Sequence, residues 1–312
     1  LGEFSMKKKI LMIYLPILVI LIGLGYFWYH WQTNATIQRA TPRQAAKIAK
    51  VSAVNFVALG DSLTEGIGDD KNEQGYSGRI AQKVKQTYGV SVTMQNFGLA
   101  GDRSDQIRKR LNQKGNIQVA VQHANAIILT VGGNDLQQLL LQNMFSKTPE
   151  DLTKTVVRGK QAYQGKLTSL FSDIRRLNAQ APIFIFGNYN PLFVHFPKRT
   201  DFNQDVMLFN AVNQKVARHD KASYYVGTFD LTYGQYQTKA DRERLVEEFD
   251  KSDLGNADFK DIQAVLEDKN NVSNQWISTI DNYHPNHIGY NYMATQLFEY
   301  LRKEQVTWLT KH

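Results

Sequence analysis

"FVALGDSLTEG", Phe56 to Gly66, joins a short apolar run to a Gly-Asp-Ser turn, with a second glycine four residues past the serine. An apolar run that stops at a glycine turn and gives way to a helix is the pattern of a strand covered on both faces. Ser62 at that corner has two readings: a nucleophile held at the end of the strand, or the polar cap of the helix that follows. Serine is among the commonest N-caps and Gly-Asp-Ser is a common turn, so the tripeptide alone favours the cap. The rest of the chain has to decide.

Outward from this corner the periodicity alternates between strand and helix. Apolar β-prone runs occur at Asn55–Leu59, Val90–Gln95, Ala126–Val131, Ile183–Phe186 and Tyr224–Thr228, separated by helical patterns such as Leu152–Leu177 and Phe202–Arg218. Such alternation predicts an α/β domain in which helices cover a five-stranded parallel sheet. A closing amphipathic helix is expected at Ile288–Arg302. One stretch breaks the rhythm: Leu231–Ser278 is longer than an ordinary connection. Within it Asp241–Asp268 holds ten acidic and four basic residues, and reads as a helical insertion with a solvated acidic face. It is either a lid over the site or a decoration on the flank of the sheet.

The N-terminus is of another kind. Residues 1–5, "LGEFS", precede Met6 and read as an expression remnant, outside the fold. Ile10–Trp28 is 19 residues without a charge, preceded by Lys7, Lys8 and Lys9 and followed by aromatics ending at Trp31. About 20 apolar residues span a bilayer core, and tryptophan and tyrosine favour its edges. A cleaved signal peptide would have a shorter run ending in small residues, so residues 6–31 are expected to be a retained transmembrane anchor. The lysine flank is expected to place the remainder outside the cytoplasm, with residues 32–50 as a polar linker and the α/β domain at 51–312.

The chain of 312 residues has a net charge of +8. Residues 1–50 carry seven basic residues and one acidic one, which leaves only +2 for the rest. The basicity belongs to the anchor region, and no nucleic-acid partner is expected. With no cysteine anywhere, disulfides, thiolate metal sites and a cysteine nucleophile are excluded. His284 and His287 form an H-x-x-H pair without a nearby acidic or cysteine motif, so no metal and no cofactor is expected.

Open α/β sheets place their ligands beyond the carboxyl ends of the strands. Three strands end in polar or glycine-rich signatures: "GDSLTEG", "NFGLAGDRS" and "GGND". A nucleophilic serine needs a base and a group to orient that base. "DNYHPNH", Asp281–His287, offers both three residues apart: Asp281 can hold one imidazole nitrogen of His284 and leave the other for Ser62. Asn286 is a plausible N-cap for the closing helix, and His287 a helix-start residue. Acyl transfer also needs donors to the oxyanion. The Ser62 N–H, the Gly101 N–H and the Asn134 amide are the candidates. Asp61, Arg103, Asp135 and Asn188 stand at the same strand ends and are candidate substrate-binding residues.

These four blocks, with "DNYHPN" as the last, resemble the signatures of the SGNH, or GDSL, hydrolase family, and the resemblance runs from about Val51 to the C-terminus. It implies a flavodoxin-like three-layer αβα fold and metal-independent hydrolysis of esters or thioesters. By position it also implies Ser62 as nucleophile, His284 as base, Asp281 as its orienter, and Ser62, Gly101 and Asn134 as the oxyanion hole. The anchor followed by "VALGDSLTEGIGD" is similar to membrane-tethered or secreted Gram-positive members. Arg103 stands where many members have threonine, and the long insertion has no counterpart in compact members. The expected substrate is an ester: a lipid, a small ester or an acylated glycan. An O-acetyl esterase or O-acyltransferase of cell-wall polysaccharide, and a tethered binding protein without turnover, are the alternatives.

Overall fold

The computed structural model describes residues 51–142, 149–250 and 273–310. The anchor, the linker and residues 251–272 of the insertion lie outside these residues. Five parallel strands form the sheet: β1 (Ala53–Gly60), β2 (Ser91–Gly98), β3 (Ala126–Leu129), β4 (Ile183–Phe186) and β5 (Ser223–Val226). Their order is β2-β1-β3-β4-β5. The period of two sorts their side chains cleanly. Val57, Leu59, Ile127, Leu129, Ile183 and Ile185 face one layer of helices. Val54, Phe56, Ala58, Ala126, Ile128, Phe184 and Phe186 face the other.

The first layer is built by α3 (Ser104–Gln113), α4 (Gly115–Gln122), α5 (Gly133–Gln142), α6 (Pro149–Leu177) and α7 (Thr200–His219). The second is built by α2 (Gly75–Tyr88), α9 (His287–Lys303) and the short α10 (Gln305–Trp308). In α9 the buried Tyr290, Met293, Ala294, Leu297 and Leu301 recur at helical spacing and supply the face that meets the sheet. This is the three-layer α/β fold expected. The chain leaves β1 for β2 on one side and returns to β3 on the other, so loops diverge beyond β1 and β3. That switch point is where such sheets hold ligands.

Strand ends differ from the expected ones for local reasons. β2 runs to Gly98 because it pairs residue for residue with β1 up to Gly60. β3 stops at Leu129, and the next residue, Thr130, directs its hydroxyl to Asp61 at 2.8 Å. β5 ends at Val226, and Thr228 donates its hydroxyl to the Gly187 carbonyl at 2.6 Å. In the insertion, α8 (Lys239–Asp250) is a helix as expected, and its Leu245 is buried against Phe193 and Val194 of the loop after β4. The chain beyond it is pinned where Asn274 donates to the Leu231 carbonyl at 2.8 Å.

Candidate active site

The opening ambiguity over Ser62 resolves in favour of its neighbour as the cap. Asp61 is the N-cap of α1 (Ser62–Glu65), accepting the Leu63 N–H at 3.1 Å. Ser62 is the first helical residue and keeps its side chain for another partner: its Oγ lies 2.8 Å from His284 Nε2. Among the described residues the Ser62 N–H has no acceptor.

His284 is held from both sides. Its Nδ1 lies 2.6 Å from Asp281 Oδ2, while Asp281 Oδ1 accepts the backbone N–H groups of Tyr283 and His284, each at 3.0 Å. The turn closes this tightly because Asn282 takes a φ of +50°, in the left-handed region that asparagine tolerates better than most residues. Burial raises the Asp281 pKa, but the His284 ring and the two N–H groups outweigh it and hold the carboxyl below its ordinary range. The turn is clamped to the preceding segment by Ser278 N–H to His284 carbonyl at 2.7 Å and an antiparallel bridge between Ile277 and Pro285. Asn286 caps α9, accepting from Ile288 and Gly289 N–H, as the sequence predicts. Gly68, at φ +87°, lets the loop after α2's predecessor α1 lie against this turn, since a Cβ there would come within 2.9 Å of His284 Cβ.

Beneath the serine runs a buried chain of hydroxyls. Thr130 donates to Asp61 Oδ1 at 2.8 Å, and Thr64 Oγ1 sits 2.7 Å from both Thr130 Oγ1 and Tyr76 Oη. A hydroxyl has one proton, so with Asp61 ionised the donation runs Tyr76 to Thr64 to Thr130 to Asp61. Burial pushes the Asp61 carboxyl above its ordinary range, opposed by Thr130, the Leu63 N–H and the nearby His284.

Asn134 donates one amide N–H to the Asp102 carbonyl at 3.0 Å, and its second N–H has no acceptor among the described residues. Gly101 is exposed in the turn after β2 with a φ of +81°, and its N–H has no acceptor among the described residues. A cavity of about 30 Å³ opens beside the serine, lined by Asp61, Ser62, Leu63, Gly133, Asn134, Asn188, Tyr189, Pro191 and Tyr283. Arg103 and Asp135 are placed differently from this group. Arg103 pairs with Asp105 at 3.2 Å, and Asp135 accepts the Ser104 N–H and hydroxyl at 2.8 and 2.6 Å. Both brace the start of α3, and neither lines the cavity.

Sequence reasoning missed Thr130, Thr64, Tyr189, Tyr283 and Asn210. The last carried a signal: Asn210 and Asn213 fall on the buried face of α7, where a polar side chain needs a partner.

A profile of the GDSL-like Lipase/Acylhydrolase family matches residues 58–292, and the chain belongs to that family. It is a carboxylic ester hydrolase of the GDSL class. The uncharacterized protein YpmR of Bacillus subtilis (strain 168) is 28% identical over 250 residues, covering 80% of this chain and 82% of that one. The spore germination lipase LipC of Bacillus licheniformis is 34% identical over 138 residues, covering 44% of this chain and 65% of its own. Among solved structures, the lipase Lip_vut3 from a goat rumen metagenome superposes with a TM-score of 0.57 at 20% identity, covering 79% of this chain and 96% of that one. That likeness is one of fold.

Proposed function

We propose that the protein is a serine esterase working through a Ser62–His284–Asp281 triad and an acyl-enzyme. The observation that carries this reading is the single line of contacts from Asp281 through both nitrogens of His284 to Ser62 Oγ, at 2.6 and 2.8 Å. Ser62 Oγ attacks the ester carbonyl carbon while His284 Nε2 takes its proton, and Asp281 holds the Nδ1 proton and stabilises the imidazolium. The oxyanion forms against the N–H groups of Ser62 and Gly101 and the free N–H of Asn134. His284 then gives its proton to the departing alcohol oxygen. A water, deprotonated by the same nitrogen, attacks the acyl carbon, and the imidazolium returns that proton to Ser62 Oγ as the acid leaves.

Ser62→Ala and His284→Ala should each lower ester turnover by about 10⁴-fold or more, because nucleophile and base act as one unit. Turnover is measured beside thermal melting and labelling by a serine-directed phosphonate. Substantial turnover by either folded variant, or labelling of Ser62→Ala at the wild-type level, defeats the assignment.

The reading extends to location. The uncharged run at 10–28 with its lysine flank supports a domain tethered to the membrane and facing away from the cytoplasm. Mass spectrometry of the natural protein should find an N-terminus before residue 10. A mature N-terminus beyond Trp31 would mean a released enzyme.

A further inference from the structure

Asn188 stands directly after β4, with only 7% of its surface exposed, and lines the cavity beside Ser62 and Asn134. Which of its two amide atoms faces the cavity is settled by a neighbour. Asn210, in the middle of α7, reads the backbone of Asn188 in both directions: its Oδ1 accepts the Asn188 N–H at 2.7 Å, and its Nδ2 donates to the Asn188 carbonyl at 2.9 Å. A backbone N–H only donates and a carbonyl only accepts, so Asn210 has one permitted orientation. Its Oδ1 also lies 3.3 Å from a side-chain amide atom of Asn188. Two acceptors would repel there, so that atom is the Asn188 Nδ2.

The other atom of the Asn188 amide is therefore an oxygen. It lies on the Gly133 side, 3.3 Å from where a Gly133 Cβ would stand. No hydrogen bond to it occurs among the described residues. It is an acceptor fixed in orientation, on a residue that lines the cavity together with Ser62 and Asn134, whose N–H groups are the proposed donors to the carbonyl oxygen.

We propose that Asn188 is a specificity-determining residue, and that its side-chain oxygen selects esters carrying a free hydroxyl close to the scissile carbonyl. This rests on the reading of Ser62 as the nucleophile. An alkyl ester would fill the same space and leave the oxygen desolvated without a donor, which is costly. A site built around such a group discriminates against the analogue that lacks the hydroxyl far more strongly than an apolar wall discriminates by size. The hydroxyl can belong to the alcohol, as in a partial ester of a polyol or sugar, or to the acyl group, as in a 2-hydroxyacyl ester.

Two pairs of esters separate these sources. In the first, 2-hydroxyethyl acetate is compared with propyl acetate; in the second, ethyl 2-hydroxypropanoate with ethyl 2-methylpropanoate. Each ratio of kcat/KM is divided by the ratio of the alkaline hydrolysis rates, which removes intrinsic reactivity. The full chain should prefer the hydroxyl-bearing member of at least one pair by about fivefold or more, the effect of one neutral hydrogen bond. A preference in the first pair assigns the hydroxyl to the alcohol, and in the second to the acyl group. Asn188→Leu, similar in shape and with no acceptor, should bring the favoured ratio to about one; thermal melting reports its folding. If that variant unfolds, Asn210→Ala, which frees the Asn188 amide to rotate, should reduce the same ratio. Ester turnover with no preference in either pair overturns the inference and leaves the serine esterase standing. An unchanged ratio in folded Asn188→Leu also overturns it, and no turnover of any ester, with no labelling of Ser62, overturns both.

Discussion

Two histidines three residues apart make nearly the same contact with a carboxylate. His284 Nδ1 lies 2.6 Å from Asp281, and His287 Nδ1 lies 2.8 Å from Asp70. Each carboxylate also accepts a backbone N–H from its histidine, at 3.0 Å in the first pair and 2.8 Å in the second. Both carboxyls are held below their ordinary range; burial opposes this in each case and hydrogen bonds from the histidine overcome it. What separates the pairs is the other nitrogen. His284 Nε2 meets Ser62 Oγ, whereas no contact is found for His287 Nε2 among the described residues. The first pair is also less exposed, with the His284 side chain at 16% against 33% for His287. An Asp-His pair thus seats the chain in both places, and the serine hydroxyl on the far nitrogen is what sets the first apart.

The largest expected break in this comparison is Asp281→Asn. The amide keeps the shape but favours the wrong tautomer of His284, and turnover should fall by about 10² to 10⁴-fold. Steady-state kinetics on a small ester measure it. Turnover within a few-fold of wild type would show that the turn, and not the charge, holds the imidazole.

A third histidine sharpens the contrast through stability. His195 is buried, its Nδ1 has no partner among the described residues, and burial pushes its imidazole down to about 4. The unfolded chain binds this proton below about 6.5, while the folded protein takes it up only near 4. Stability should therefore fall as pH drops from about 6.5 towards 4, by up to about 3 kcal/mol from this group. His195→Leu should flatten that part of the pH dependence of the urea midpoint. An identical slope in the variant would mean that other groups carry it.

The smallest effect is expected at the exposed pair. His287→Ala keeps its backbone N–H to Asp70 and should leave ester turnover within about twofold, with at most about 1 kcal/mol lost in urea unfolding. A large loss of turnover would give the second pair a part in the site.

The blocks around Ser62, Asn134 and Asp281–Asn286 are legible in the sequence because each follows a strand or a tight turn, where local spacing dictates geometry. Helix existence was likewise legible for α6, α7 and α9, whose apolar residues recur over several turns. The cap of α1 was not: Asp61 and Ser62 are adjacent and both suit the role. Only the position of Thr130, 69 residues on, shows which side chain turns inward. Arg103 and Asp135 stand at the right strand ends, yet Asp105 engages the first locally and Ser104, 31 positions away, engages the second, and spacing does not report such competition. Asn210 shows in the sequence as a polar residue on the buried face of α7, but its partner, the backbone after β4, is a contact between elements that no periodicity encodes.

Ser62 and His284 are 222 positions apart. A chain emerging from the ribosome, amino end first, presents its serine 222 residues before its histidine. On the proposed reading the nascent polypeptide carries a hydroxyl without its base over that interval, and ester cleavage waits for the turn before α9 to reach the sheet. An enzyme arranged in this order would be harmless to its maker through most of its synthesis, and a copy terminated before His284 would stay inert.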